Sequence, residues 1–221
     1  MRTRMRIFST TFALIALSST LAVGQQRGQS SPANPAPPAQ PGSPAQPGQR
    51  GGGGRGRGPI QAMTLIGIWP DGTAIPARFT QAGDEDSPPL QWTNVPDGVV
   101  SFALLVHDVD AAIGDGTDDI LHWLLWNIPG SMTQLPGSQP RGAQAANGMR
   151  QISATGPSYR GPGAPASGPA HHYVFELFAL DTMLEVPAVG ASPPATRAAV
   201  VAAMAGHIRG KAVYVGLFKR R

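Results

Sequence analysis

Ser101-Phe-Ala-Leu-Leu-Val-His-Asp-Val-Asp-Ala111 and, ten residues on, Leu121-His-Trp-Leu-Leu-Trp-Asn-Ile-Pro129 are two apolar runs of strand length. Both are rich in branched and aromatic residues, and each ends in a loop signal. They also carry polar groups that a buried strand has no packing reason to hold: Asp108, Asp110 and His122. Side chains alternate faces along a strand, so Asp108 and Asp110 point the same way if the backbone there is still extended. A third run, His171-His-Tyr-Val-Phe-Glu-Leu-Phe-Ala-Leu180, places His171 and Tyr173 together by the same rule. The three strand ends are expected to meet in one pocket.

Working outward, Leu121–Ile128 is apolar on both alternating sets, with Leu121, Trp123 and Leu125 on one and His122, Leu124, Trp126 and Ile128 on the other. Such a strand is covered on both faces and sits centrally in a packed sheet. Upstream, residues 62–68 read as a first strand, and Ser87-Pro-Pro-Leu-Gln-Trp92 is held extended by its prolines. Downstream, residues 130–168 are dense in Gly, Pro, Ala and Ser, and so long an irregular stretch is usually functional or mobile. Ser192 reads as the N-cap of a helix that opens on Pro193 and Pro194 and stops at Gly206. Lys211–Phe218 reads as the last strand. The pattern is mainly β, with one late helix, and favours antiparallel sheets packed face to face.

The chain of 221 residues has room for one domain with a sizeable core and a tail. It has no cysteine, which excludes disulfides, thiolate metal sites, a cysteine nucleophile and a lipid-modified cysteine. The net charge of +4 divides unevenly. Residues 1–24 hold three Arg and no acid, and residues 25–58 hold four Arg and no acid. Residues 59–221 hold eight Arg and two Lys against thirteen Asp and Glu, so ten minus thirteen leaves −3. The basic balance belongs to the leader and tail, and a nucleic-acid partner is not expected. Residues 1–24 read as a signal peptide, with Arg2, Arg4 and Arg6 before an apolar run and small residues at Ala22-Val23-Gly24. Residues 25–58, rich in Pro, Gln, Gly and Arg, read as a disordered linker. Residues 59–221 form the domain, expected in the periplasm or secreted.

With these pieces in place the chain resembles the phosphatidylethanolamine-binding protein family, in its bacterial Raf-kinase-inhibitor-like branch. The resemblance rests on Ser87–Trp92, Asp108-Val-Asp-Ala111, Leu121–Pro129, Tyr159-Arg-Gly-Pro162, His171-His-Tyr-Val-Phe175, Ala179-Leu-Asp181, Gly206-His207 and Gly216–Arg220, in family order. It implies an antiparallel β-sandwich with a few peripheral helices, including one near the C-terminus. It also implies a small surface cavity for phosphate or phosphorylated head groups. Carried over, the ligand-binding residues are Asp108, His122, His171 and Tyr173, with Asp110, Tyr159 and Pro162 shaping the wall. The chain departs from the family pattern at Val109, Ala112 and Ala164, and has His172 where a basic residue commonly stands.

The chemistry expected of this set is indirect. Asp108 repels an anion, but a carboxylate beside His122 or His171 orients the ring and favours its charged form. The ring then presents its other N–H to an oxyanion, each such bond contributing roughly 1.5–3 kcal/mol. The expected protein is therefore a non-enzymatic, cofactor-free binding protein for a small anionic or phosphorylated ligand. A protein partner whose activity it inhibits or modulates, peripheral membrane contact and a homodimer are expectations of the same kind. Two alternatives compete. One is a metal-dependent hydrolase using Asp108, Asp110, His122 and His171. The other is an envelope scaffold with a vestigial pocket, docked on anionic surfaces by its basic tail. No Gly-x-Ser-x-Gly, HExxH or phosphate-loop motif occurs.

Overall fold

The computed structural model describes residues 59–221 apart from Ala145. The signal-peptide and linker readings over residues 1–58 lie outside the described residues. In chain order the strands are β1 (Gln61–Ala62), β2 (Thr64–Ile66), β3 (Thr73–Ala74), β4 (Leu90–Thr93), β5 (Ser101–Ile113), β6 (Asp118–Pro129) and β7 (Gln134–Leu135). There follow β8 (Arg150–Ile152), β9 (His171–Leu180), helix α1 (Pro193–Met204) and β10 (Ile208–Phe218). The chain is mainly β, as its alternating runs predict. No helix among the described residues is long and apolar enough to cross a membrane.

The strands form two open sheets. The larger runs β1-β10-β9-β5-β6-β8, with β3 also on β10, and the smaller runs β2-β4-β7. Pairing is antiparallel among the long strands, but β1 and β3 join β10 in parallel, which corrects the purely antiparallel expectation. The single strand expected over 62–68 is divided. The Met63 amide still donates to the Lys211 carbonyl at 2.9 Å, and from Thr64 the chain pairs instead with β4 in the other sheet.

One apolar cluster joins the sheets. Leu65, Leu90, Trp92 and Leu135 of the small sheet gather with Phe102, Leu104, Val106, Trp123, Phe175 and Tyr214 of the large one. Full burial of such side chains contributes roughly 1.5–3 kcal/mol each. The second face of the large sheet holds Leu105, Leu124, Trp126 and Phe178 against Val200 and Met204 of α1. That helix begins as predicted, with the Ser192 side chain accepting from the Ala195 amide.

β6 is covered on both faces, but its alternation is interrupted twice. Trp123, Leu125 and Ile128 belong to the shared cluster, while Leu121, Leu124 and Trp126 face the helix. Its pairing with β5 shifts between Trp123 and Leu121, passing over His122, and again between Leu125 and Ile128. Such bulges insert one residue and re-aim the side chains on either side. Leu121 and Ile128 thus swap the faces that strict alternation assigns them. At the second bulge Asn127 takes a φ of 58° and brackets Leu184, accepting its amide at 2.8 Å and donating to its carbonyl at 3.0 Å.

His107, one residue before Asp108, faces the helix side, where it enters a charged cluster that sequence reading missed. Its Nδ1 lies 2.5 Å from Asp119 and its Nε2 lies 3.4 Å from Glu176. Arg197 of α1 grips Asp119 with both guanidinium nitrogens, and Lys211 sits 2.5 Å from Glu176. Burial opposes the charge on His107, but Glu176 and Asp119 outweigh it and raise the pKa. The ring's contribution to stability is complete below its unfolded value of 6.5 and is lost as pH rises through the raised folded value. His107→Gln is therefore expected to cost most stability near about pH 5.5 and least near about pH 9. Denaturant titrations of both proteins at the two pH values check this, and a flat difference contradicts it.

Candidate functional site

Asp108 stands where the β5 ladder breaks. It still pairs with Tyr173 on β9 and Ile120 on β6, but the next β5–β6 pair is Ile113 with Asp118. Here the Asp108 side chain takes over from a strand partner. Its Oδ1 accepts the amides of Asp110 and Ala111, each at 3.1 Å, in the local turn that aspartate favours. The carboxylate is buried, and the Nδ1 of His171 lies 2.9 and 3.1 Å from its two oxygens. That contact fixes the ring and leaves Nε2 as its free nitrogen.

The same turn takes Asp110 out of alternation. Its Oδ2 accepts the His172 amide at 2.5 Å and lies 2.8 Å from His172 Nδ1. The His172 amide is the chief reason its pKa is lowered. The two aspartates therefore part company, contrary to the expectation for an extended backbone, and Asp110 is held in an exposed pair beside the site. Among the described residues no group of three or more His, Asp and Glu is arranged to hold a metal ion.

His122 comes to the site through the first β6 bulge. Its Nδ1 lies 2.8 Å from the Arg160 carbonyl, and the Arg160 amide donates back to the His122 carbonyl at 2.9 Å. The ring meets Tyr173 edge-on, with centroids 5.0 Å apart. Burial pushes its pKa down, outweighing the Arg160 carbonyl and the Asp108 charge. The expectation of a cationic His122 is thereby corrected, because desolvation wins over the neighbouring acid.

Tyr173 is buried, and its hydroxyl accepts the amides of Gly163 and Ala164 at 3.2 and 3.0 Å. Burial, followed by the Asp108 charge, raises the pKa of the phenol. The loop that supplies those amides lies flat against the chain at Thr80 and Gln81. A Cβ on Gly161 would come within 2.8 Å of the Thr80 carbonyl carbon, so no larger residue fits there without displacing backbone. Pro162 is buried, with its carbonyl accepting the Gln81 amide at 2.9 Å. Gln81 Nε2 donates to the Gly161 carbonyl at 2.8 Å.

Tyr159 points elsewhere. Its hydroxyl donates to the Phe79 carbonyl at 2.8 Å, its ring packs edge-on to Trp123, and it lines a cavity of about 120 Å³ with Asp84, Glu85 and Asp86. Asp108, His122, His171 and Tyr173 are thus drawn together beside the 161–164 loop, whereas Asp110 and Tyr159 are turned to other partners. Sequence reading missed Arg160, whose backbone clamps His122 and whose guanidinium acts on the ring charge. The one signal was its place between Tyr159 and Pro162.

Comparison with known proteins agrees with this arrangement of strands. The family model described as phosphatidylethanolamine-binding protein matches residues 68–219. A UPF0098 protein of Methanothermobacter thermautotrophicus is 39% identical over 148 residues, covering 66% of this chain and 91% of its own. A Mycobacterium tuberculosis protein named as a candidate lipoprotein, LppC, is 35% identical and covers 69% of each chain. Among solved structures, a phosphatidylethanolamine-binding protein homologue of Chlamydia trachomatis superposes with a TM-score of 0.58 at 25% identity, covering 73% of this chain and 99% of its own. YbcL of Escherichia coli superposes with a TM-score of 0.61 at 24% identity over 72% of this chain and 99% of its own, a likeness of fold. The chain belongs to the phosphatidylethanolamine-binding protein family.

Proposed function

We propose that this protein is a non-enzymatic binding protein that holds a small oxyanion or phosphorylated head group at Asp108, His122, His171 and Tyr173. In this reading the two open sheets pack as a sandwich with the site at one end. The observation that carries the proposal is the Asp108–His171 pair. A buried carboxylate held by two amides orients an imidazole, and the free Nε2 of that ring is the contact offered to the ligand. The backbone around Gly161 and Gly163 allows close approach. A place outside the cytoplasm is part of the proposal, supported by the basic start and apolar run of residues 1–24 and by the likeness to a candidate lipoprotein. Peripheral membrane contact is part of the same proposal.

Phosphorus NMR titration of the purified protein with phosphate and phosphoethanolamine tests this reading. His171→Ala removes the oriented donor and is expected to weaken binding by at least about tenfold, equivalent to ~1.4 kcal/mol. Equal affinity of the variant and the wild type would remove His171 from the site and overturn the proposal.

A further inference from the structure

The site has more acceptors than an anion pocket needs. The Arg160 carbonyl can only accept, so His122 Nδ1, 2.8 Å away, carries a proton. In the neutral ring the lone pair is then on Nε2, which acts as an acceptor. Four residues face this ring: Asp108 from β5, Tyr173 from β9, and Arg160 and the Gly161 backbone from the loop. The charges of Asp108 and Arg160 push its titration in opposite directions, and burial decides in favour of the neutral form. Tyr173 already receives two amides on its oxygen, so its single proton is directed away from Gly163 and Ala164. Asp108 is the second acceptor and is already engaged by His171, Asp110, Ala111 and the Tyr173 hydroxyl.

We propose that the pocket selects oxyanions carrying a proton, such as phosphate or a singly esterified phosphate as its monoanion, over proton-free oxyanions such as sulfate, with His122 Nε2 accepting the ligand O–H. The proposal rests on the binding function above and adds its ligand specificity. A proton-free anion brings only lone pairs to the lone pair of His122 and to the Asp108 carboxylate. A protonated oxygen at His122 turns the first of these repulsive contacts into a hydrogen bond. Pockets built to pair a ligand O–H reject analogues lacking it far more strongly than apolar pockets reject a missing methylene.

Calorimetric titration of the full protein with sodium phosphate and with sodium sulfate, from about pH 5.5 to about pH 8.5, tests it. Phosphate is expected to bind at least about tenfold more tightly than sulfate at the acid end. The advantage should persist to about pH 8.5, because HPO4²⁻ keeps one O–H, whereas a singly esterified phosphate, which loses its only proton at about pH 6, should lose affinity across that range. In His122→Ala the two ligands should bind within about twofold of each other at every pH. Wild-type protein that binds sulfate as tightly as phosphate overturns the selectivity and leaves the anion site standing. Selectivity that survives in His122→Ala overturns the role given to that ring. Binding of neither ion removes both the selectivity and the function on which it rests. The wild-type comparison decides the matter even where the variant does not fold.

Discussion

Asp108→Ala is expected to destabilise the protein by about 3–5 kcal/mol and to abolish anion binding. Asp108 is 3% exposed, and its carboxylate is the acceptor for the amides of Asp110 and Ala111 and for His171 Nδ1. Its removal leaves three donors without a partner where β5 turns out of its ladder, and unpaired buried groups cost more than an average hydrogen bond contributes. Asp108→Asn retains an acceptor oxygen for the two amides and loses the charge beside His171. It should therefore recover much of the stability and little of the binding. Urea unfolding and phosphate titration of both variants separate the two effects. An alanine variant within about 1 kcal/mol of wild type would show that the amides find other partners.

Trp123→Ala is expected to cost about 3–5 kcal/mol, the range for truncating a fully buried aromatic. Trp123 is wholly buried, lies edge-on to Tyr159 at 5.5 Å and donates from Nε1 to Gln151 Oε1 at 2.8 Å. Gln151 is itself a bracket, donating through Nε2 to the carbonyls of Pro140 and Gly142 at 2.6 and 3.0 Å. The alanine variant therefore opens a cavity beside His122 and also slackens the segment around residues 140–142. Trp123→Phe keeps most of the ring volume and loses only the donor, so it should cost about 1–3 kcal/mol, the cost of leaving Gln151 Oε1 unpaired. Equal losses in the two variants, measured by thermal or denaturant unfolding, would mean that the indole nitrogen rather than the ring volume sets the stability.

Much of the fold was legible because the long strands are strongly patterned. His171–Leu180 has the bounds its alternation predicts, and His171, Tyr173 and Phe175 share a face as a period of two requires. The late helix announced itself through Ser192, two prolines and Gly206. Where pattern failed, a local event had broken the period. His122 sits in a bulge, so its neighbours Leu121 and Trp123 face opposite clusters at a spacing simple alternation forbids. The family resemblance places Asp110 in the pocket wall, and strict alternation places it beside Asp108. The β5–β6 register slips between Asp108 and Ile113, however, where the Asp108 side chain captures two amides, and Asp110 pairs with His172.

The charge on His122 could not be read at all. It depends on how deeply the ring is buried and on the Arg160 carbonyl, which lies far off in sequence. The cluster of His107, Asp119, Glu176, Arg197 and Lys211 was hidden for a similar reason, since its members come from four strands and a helix. The short strand β8 carries a buried glutamine and only three residues, too few to show a period.

The parallel pairing at the outer edge of the large sheet bears on how the chain acquires its shape. Gln61 and Ala62, at the beginning of the described domain, are partnered by Gly210 and Lys211 near its end. β9 likewise has one neighbour, β10, that is the last of the described strands to be made. The ribosome must deliver almost every residue before this edge can be zipped, and nascent chains of intermediate length hold β9 with one side open. Contacts so remote along the polypeptide delay collapse to the final topology, placing such a domain among millisecond-to-second folders. During that interval the polypeptide stays threadable.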